Sequence, residues 1–230
     1  MGLPFNRKYD LGRELLKWIA VATMTIDHAG LILYPEYPAL RYIGRLAFPL
    51  FAYLLVLGME STRNVRNYFF RLFYFALISQ VPFYTALGMQ PWELLNIFFS
   101  LSLGVIFIYY LEKGKSLSFL PLFTSVLLPV DHGIYGLLII FCFYILRRNR
   151  GTGIILFFLV VIFFSFYAVR HQTYGVFGIL ALPIVLLHND GRSPFNKIGE
   201  RAGNSKLRKY FFYIYYPSHL IMLHFLRIEL

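Results

Sequence analysis

Charge is what this chain has least of. Asp, Glu, Lys and Arg make up 14% of its 230 residues, against about 25% in an ordinary soluble domain. That deficit excludes a conventional water-facing surface wrapped around one core. Acidic residues are the scarcer sign, 11 against 22 basic, for a formal net charge of +11. Cysteine is reduced to Cys142 alone, set in an apolar run, which excludes a disulfide framework and a thiolate metal cluster. The chain also has no His-Glu-x-x-His pair, no Gly-x-Ser-x-Gly turn, no phosphate-binding glycine loop and no CxxC, so the usual zinc-hydrolase, serine-hydrolase and nucleotide-binding signatures are missing. His219 and His224 do not share a helix face, and no metal is expected. No internal repeat is visible.

What the chain has in abundance is apolar surface: 58% of its residues are hydrophobic, and aromatics make up 20% of the whole chain. One soluble core could not hide this much, so the expected solvent is lipid. Apolar segments fall at about 18–34, 43–59, 69–87, 94–111, 117–130, 133–146, 153–169, 172–188 and 210–227. The expected fold is all-α, a single domain over 1–230, a polytopic bundle of about nine transmembrane segments. The fifth and sixth are short for a bilayer and read as a tilted pair or a re-entrant hairpin. The first run is long and lacks a small-x-small cleavage site, so it is expected to remain as a span. Pro82, Pro129, Pro183 and Pro217 are expected to break their segments and free carbonyls.

Charge placement orients the bundle. With the N-terminus in the cytoplasm, the short loops there hold most of the 22 basic residues, from Arg7 and Lys8 to the long last loop, His188 to Lys209. Only Arg41, Arg45, Arg170 and Arg227 fall on the other side. This is the positive-inside pattern of a multi-pass membrane protein. It accounts for the net charge without nucleic acid as a partner, since basic loops meet anionic lipid.

Within the first segment stand Asp27 and His28. An ionisable residue inside a span is a functional candidate, because a carboxylate there costs about 2.5–3.5 kcal/mol on insertion scales. Lys17 lies on the same helix face as His28, about 16 Å along the axis. Two readings of His28 stand: a core histidine bonded to a neighbouring helix, or a neutral imidazole ready to take a proton. Asp27 points about 100° away from His28 and is expected to pair with Arg45 or another helix's donor. Asp131 and His132 beside Gly133 form either a polar interfacial turn or a second acid/base element. Asp27, His28, Arg45, Asp131 and His132 are therefore candidates for one polar cluster. Gln80, Asn96, Tyr216 and His219 are further inward-facing polar groups.

The stretches Lys17–Gly30, Tyr42–Ala52, Thr62–Asn64, Leu77–Phe83, Leu95–Phe98, Asp131–Gly136 and Tyr213–His219 together resemble TraX-type proteins, in order along nearly the whole chain. The spacing from Lys17 to His28 is also similar to the basic-x10-histidine signature of the wider membrane acyltransferase group. The resemblance implies a polytopic bacterial membrane protein, acetyl-coenzyme A as acyl donor, and an amine or hydroxyl acceptor on a pilin-like peptide or a glycan. It also implies a glutamate where Gln80 stands and a tyrosine where His132 stands, so the chain departs from it at both.

On this reading acetyl-coenzyme A meets Lys17, and with it Arg63 or Arg66, at the cytoplasmic edge. His28 deprotonates the acceptor, Arg45 stabilises the oxyanion or holds Asp27, and Asp131 and His132 position the acceptor. The alternative class is a transporter or flippase that uses Asp27, His28 and Asp131 as a relay; the missing inverted repeat counts against it. A third is a non-catalytic assembly partner.

Overall fold

The computed structural model describes residues 11–168, 175–189 and 206–229. Arg7, Lys8, Arg170, residues 172–174 of the eighth expected segment and residues 190–205 of the last loop lie outside them. Among the described residues the chain is helical apart from one isolated bridge, Leu95 to Val130. The helices are α1 (Leu11–Ile32), α2 (Pro38–Gly44), α3 (Ala47–Ser61), α4 (Val65–Leu87), α5 (Ile97–Glu112), α6 (Phe119–Leu127), α7 (Gly133–Leu146), α8 (Arg150–Ala168), α9 (Ala181–Asn189) and α10 (Lys206–Glu229).

The sixth expected segment coincides with α7, and the first, third, fourth, seventh and ninth are recovered with shifted ends. The second, 43–59, is divided between α2 and α3. Pro38 opens α2, where its fixed φ suits a first turn. Pro49 then has no N–H to give the Arg45 carbonyl. The ladder is interrupted there although Arg45 (φ −61°, ψ −16°) and Leu46 (φ −70°, ψ −27°) keep near-helical dihedrals. The fifth segment becomes a 3-10 turn at Ser116–Ser118 and the nine-residue α6. At 1.5 Å per residue α6 is about 14 Å long, under half a hydrocarbon core of about 30 Å. The eighth is likewise a 3-10 stretch, Gly175–Leu180, followed by α9. Pro82 and Pro217 correct an expectation: both lie inside continuous helices, α4 and α10, and do not break them.

Packing follows from which residues lack polar atoms all round. α7 is apolar on every face and sits innermost, with Leu137, Ile139, Ile140 and Phe143 at 0% exposure, touching α3, α5, α6 and α8. Around this core α1, α4 and α10 close the bundle. Large apolar side chains of α4, α6 and α8 point outward, among them Tyr74, Ile78, Phe123 and Phe166. α1 and the combined stretch Pro38–Ser61 are long and apolar enough to cross a membrane.

Cross-links between helix ends define two ends of the bundle. At one end Arg13 donates to Ser61, Arg147 holds Glu60 and Asn189, and Arg148 holds Glu112. At the other, Asp27 meets Arg41 and Arg45, Arg227 donates to the Ala86 carbonyl, and the Leu95–Val130 bridge ties the start of α5 to the start of α7. α1 and α2 approach closely at this second end. A Cβ built on Gly44 would stand 2.1 Å from Asp27 Oδ1, and one on Gly30 would stand 2.6 Å from Leu40 Cβ.

Gly44→Ala should therefore force α2 off α1 and cost about 1–3 kcal/mol, read as a lowered Tm in detergent. Gly151→Ala, whose nearest contact is Asn149 Oδ1 at 3.7 Å, should leave Tm unchanged or raise it slightly. Equal Tm values for the two variants would contradict the close α1–α2 contact.

Candidate functional site

The site is built on a seam between α1 and α10. Lys17 Nζ lies 5.3 Å from the Phe212 ring centroid, Thr25 Oγ1 is 2.9 Å from Tyr215 Oη, and His28 meets His219. Both sequences ascend together, so the helices run side by side in the same sense. Lys17 and His28 thus share a face of α1, as the spacing required, and that face looks at α10. Thr25 gives its own hydroxyl hydrogen to the Val21 carbonyl at 2.8 Å, so Tyr215 is the donor in the cross-helix bond.

The centre of the seam is a pair of imidazoles. His28 Nδ1 is 2.7 Å from His219 Nε2, with the rings stacked at 5.0 Å and 15°. His219 Nδ1 is 3.0 Å from the Tyr215 carbonyl. A carbonyl only accepts, so in the neutral ring His219 Nδ1 carries the hydrogen and Nε2 is an acceptor. His28 Nδ1 must then donate to it. The hydrogen-bond chain assigns the remaining lone pair to His28 Nε2. Of the two readings made from sequence, the hydrogen bond to a neighbouring helix is the one the geometry shows. That bond fixes the ring's tautomer and orientation and leaves Nε2 as its lone-pair nitrogen.

Asp27 faces the other way, toward α2. Its Oδ2 accepts from Arg41 Nη1 at 2.6 Å and its Oδ1 from Arg45 Nη2 at 2.7 Å, while Arg41 also reaches the Asp27 carbonyl at 3.0 Å. The expected Asp27–Arg45 pair is present. Arg41, counted from sequence only as a loop charge, is its second partner. Arg41 and Arg45 are four apart on a helical stretch, the spacing that sets two side chains on one face. Arg45 Nη2 is thereby committed to Asp27, although Arg45 Nε remains buried with no hydrogen-bond partner.

Asp131 and His132 form a tight unit at the start of α7. His132 Nδ1 is 2.7 Å from Asp131 Oδ1. His132 adopts φ 64° and Gly133 φ 45°, the left-handed region that side-chain-bearing residues rarely enter. The turn is pinned from α5: Leu95 accepts from the Asp131 amide at 2.8 Å, and Ser100 Oγ donates to the Asp131 carbonyl. Burial opposes the Asp131 charge, but His132, aided by His28 and Arg45, outweighs it and holds the carboxyl below its usual range. The charges of Asp131, Arg41 and Arg45 also act on His28. The five residues grouped from sequence thus lie together: Asp27 ion-paired with Arg45, and Asp131 hydrogen-bonded to His132, with His28 in electrostatic reach of both.

Other candidates fall elsewhere. Gln80 and Asn96 are buried but close on each other: Asn96 donates through N and Nδ2 to Gln80 Oε1, at 3.1 and 2.8 Å, and through Nδ2 to the Ala76 carbonyl. Gln80 Nε2 donates to the Leu94 carbonyl at 2.7 Å. They form a structural clasp between α4 and α5 rather than an open polar lining. A glutamate at 80 could not make that donation. Lys17 is paired with Glu14 at 2.5 Å, and Arg63 and Arg66 are exposed at the same end. Tyr216 is 3% exposed, its ring 6.0 Å from His28 and 5.6 Å from His219. Among the described residues no group of three or more His, Cys, Asp or Glu could hold a metal ion.

Comparison with known proteins places the chain in a family. The family model described as TraX protein matches residues 12–227. A probable fimbrial assembly protein FimC, serogroup H1, of Dichelobacter nodosus is 27% identical over 95% of this chain and 96% of its own length. An uncharacterized protein of Rickettsia prowazekii (strain Madrid E) is 35% identical over 44% of this chain, but the match spans 38% of that protein. Protein TraX of Escherichia coli (strain K12) is 34% identical over 40% of this chain and 37% of its own length. No solved structure matches. With the family model covering all but the chain's extremities, this protein belongs to the TraX family.

Proposed function

We propose that this chain is a membrane-embedded acetyltransferase, with acetyl-coenzyme A as donor, an amine or hydroxyl as acceptor, and His28 as general base. The observation that carries the reading is the imidazole pair: His28 Nδ1 is spent on His219 at 2.7 Å, which leaves Nε2 as an oriented base. An imidazole held this way has the two properties a general base needs, a fixed tautomer and an accessible lone pair. His219 is its positioning partner. The acceptor's nucleophile loses a proton to His28 Nε2 as it attacks the thioester carbonyl, and the proton then goes to the departing thiolate.

The bilayer setting is supported by several features at once. Outward side chains of α4, α6 and α8 are apolar. Two helical stretches suit a crossing. Basic residues gather at the end of the bundle that holds Arg13, Lys17, Arg147 and Arg148. That end would face the cytoplasm of a bacterial cell, across its inner membrane. Its residues fit a phosphate-bearing donor. Arg71 is stacked over Tyr68 and Tyr213, 5.1 and 5.3 Å from their centroids, and Arg66 over Phe70 at 5.6 Å. Neither arginine has a carboxylate partner among the described residues; Arg71 gives its Nε hydrogen to Tyr213 Oη at 3.1 Å, which orients its two Nη groups toward phosphate oxygens. Lys17 shares its charge with Glu14, which makes Arg71 a stronger candidate than the lysine picked from sequence. The name of the Dichelobacter relative, a fimbrial assembly protein, favours a surface-appendage subunit as acceptor.

Transfer of isotope from acetyl-coenzyme A to peptide, glycan and water acceptors, measured in detergent, tests the reading. A transporter has no compartments there and would show none. His28→Ala should lose at least about 10²-fold in rate while still inserting and folding. Retention of full activity by that variant would remove the base assignment. His219→Gln supplies an oxygen that can accept from His28 Nδ1, so it should stay within about tenfold of wild type, whereas His219→Ala should approach His28→Ala. Coenzyme A at about 100 times its Kd should stabilise the fold by about 2.7 kcal/mol. Arg71→Ala should shrink that thermal shift; an undiminished shift would place the phosphates elsewhere.

A further inference from the structure

Tyr216 has a hydroxyl that the fold does not use. The residue is 3% exposed, and its Oη is buried with no hydrogen-bond partner among the described residues. Buried tyrosines ordinarily find a partner for this group, and an orphan in a native fold calls for an explanation. The hydroxyl is within reach of the backbone amide of Ile97. Ile97 is the first residue of α5, a 16-residue helix. Asn96 caps this helix through the Phe98 amide, at 3.1 Å from its Oδ1, and its carbonyl takes the Phe99 amide at 3.0 Å. The Ile97 amide interacts with the Tyr216 hydroxyl from the positive end of the α5 dipole. The Tyr216 ring meets the His28 and His219 rings edge-on, at 6.0 and 5.6 Å, and is wedged against Phe98 at 5.0 Å.

We propose that the Tyr216 hydroxyl, backed by the N-terminus of α5, is the donor that stabilises the oxyanion formed during transfer. The proposal rests on the acyl-transfer reading above. When the acceptor nitrogen or oxygen bonds to the thioester carbon, the carbonyl π pair moves onto its oxygen. That oxygen accepts a hydrogen bond from Tyr216 O–H, and the Ile97 amide and helix dipole polarise the donor. His28 Nε2 holds the acceptor's proton. On collapse the C–S bond breaks, the oxygen pair returns to the carbonyl, and the thiolate takes the proton from His28. The products are an acetylated acceptor and coenzyme A thiol. Arg45, the sequence-based candidate for this role, has its Nη2 bound to Asp27 and belongs to the α1–α2 contact. Asp131 also acts on Tyr216, and Arg45 stands close enough to act in turn on Asp131. A donor left unmade in the resting fold is the expected signature of a group kept for the transition state.

The test is Tyr216→Phe in the full chain in detergent, with transfer kinetics, coenzyme A thermal shift and Tm measured together. Removing one oxyanion donor should lower kcat by about 10²–10³-fold. KM and the coenzyme A shift should be kept. Tm should stay level or rise, because the change removes an unpaired buried polar group. Wild-type kcat in this variant overturns the proposal. So does a loss of Tm that accompanies the loss of rate, or a failure to fold, since either means the hydroxyl serves structure. A wild-type chain that transfers no acetyl group overturns the acyl-transfer reading itself, and a Tyr216→Phe result with active wild type bears on the donor alone.

Discussion

Asp27 accepts hydrogen bonds from two guanidinium groups at once, and much of the architecture turns on that. Its carboxylate is held by Arg41 and Arg45, and its side chain fills the space that Gly44 leaves. A partly buried ion pair of this kind adds little net stability over an apolar contact, but removing one member leaves an uncompensated charge. Its effect is to set the rotation of α1. Once the Asp27 side chain is committed to α2, the residue after it, about 100° round the helix, must face elsewhere. That neighbour is His28, and the direction left to it leads to α10 and His219.

The buried polar groups then divide by whether they are satisfied. Gln80 and Asn96 exchange hydrogen bonds with each other and with the Ala76 and Leu94 carbonyls. Arg147 joins α3, α7 and α9 through Glu60 and Asn189. These networks are closed, and their chemistry is used up in holding helices. Around His28 the accounting is left open: a ring nitrogen without a proton and a tyrosine hydroxyl without a partner sit within about one side chain of each other. Arg45 Nε and Ser79 Oγ are also buried without a partner; what sets the Tyr216 hydroxyl apart is that its ring packs against both His28 and His219.

Much of the fold is legible as apolar run length. Residues 133–146 read as one segment because nothing in them interrupts hydrophobicity, and α7 has those bounds. Where the reading failed, the cause was backbone bonding or length. Hydropathy runs smoothly through 43–59, yet Pro49 removes the bond that would join α2 to α3. Pro82 and Pro217 look like the same signal and leave their helices whole. Packing compensates a lost bond in one place and not in another, and that depends on neighbours distant in sequence. The site was legible to the same degree. Helical geometry alone put Lys17 and His28 on one face and Asp27 on another. It could not say that His28 meets His219, 191 residues away, or that Gln80 and Asn96 clasp each other.

The sequence by itself determined that this chain is helical and apolar, which charges gather at one end, and that an acid and an imidazole share the first helix on different faces. Those properties follow from composition and from a repeat of 3.6 residues per turn, and both are local. Tertiary structure alone decided which groups find partners: Arg41 as well as Arg45 for Asp27, His219 for His28, none for the Tyr216 hydroxyl. A hydrogen bond needs two atoms within about 3 Å in the right direction. Only the packed arrangement of α1, α2, α5 and α10 sets such distances between residues far apart in the chain.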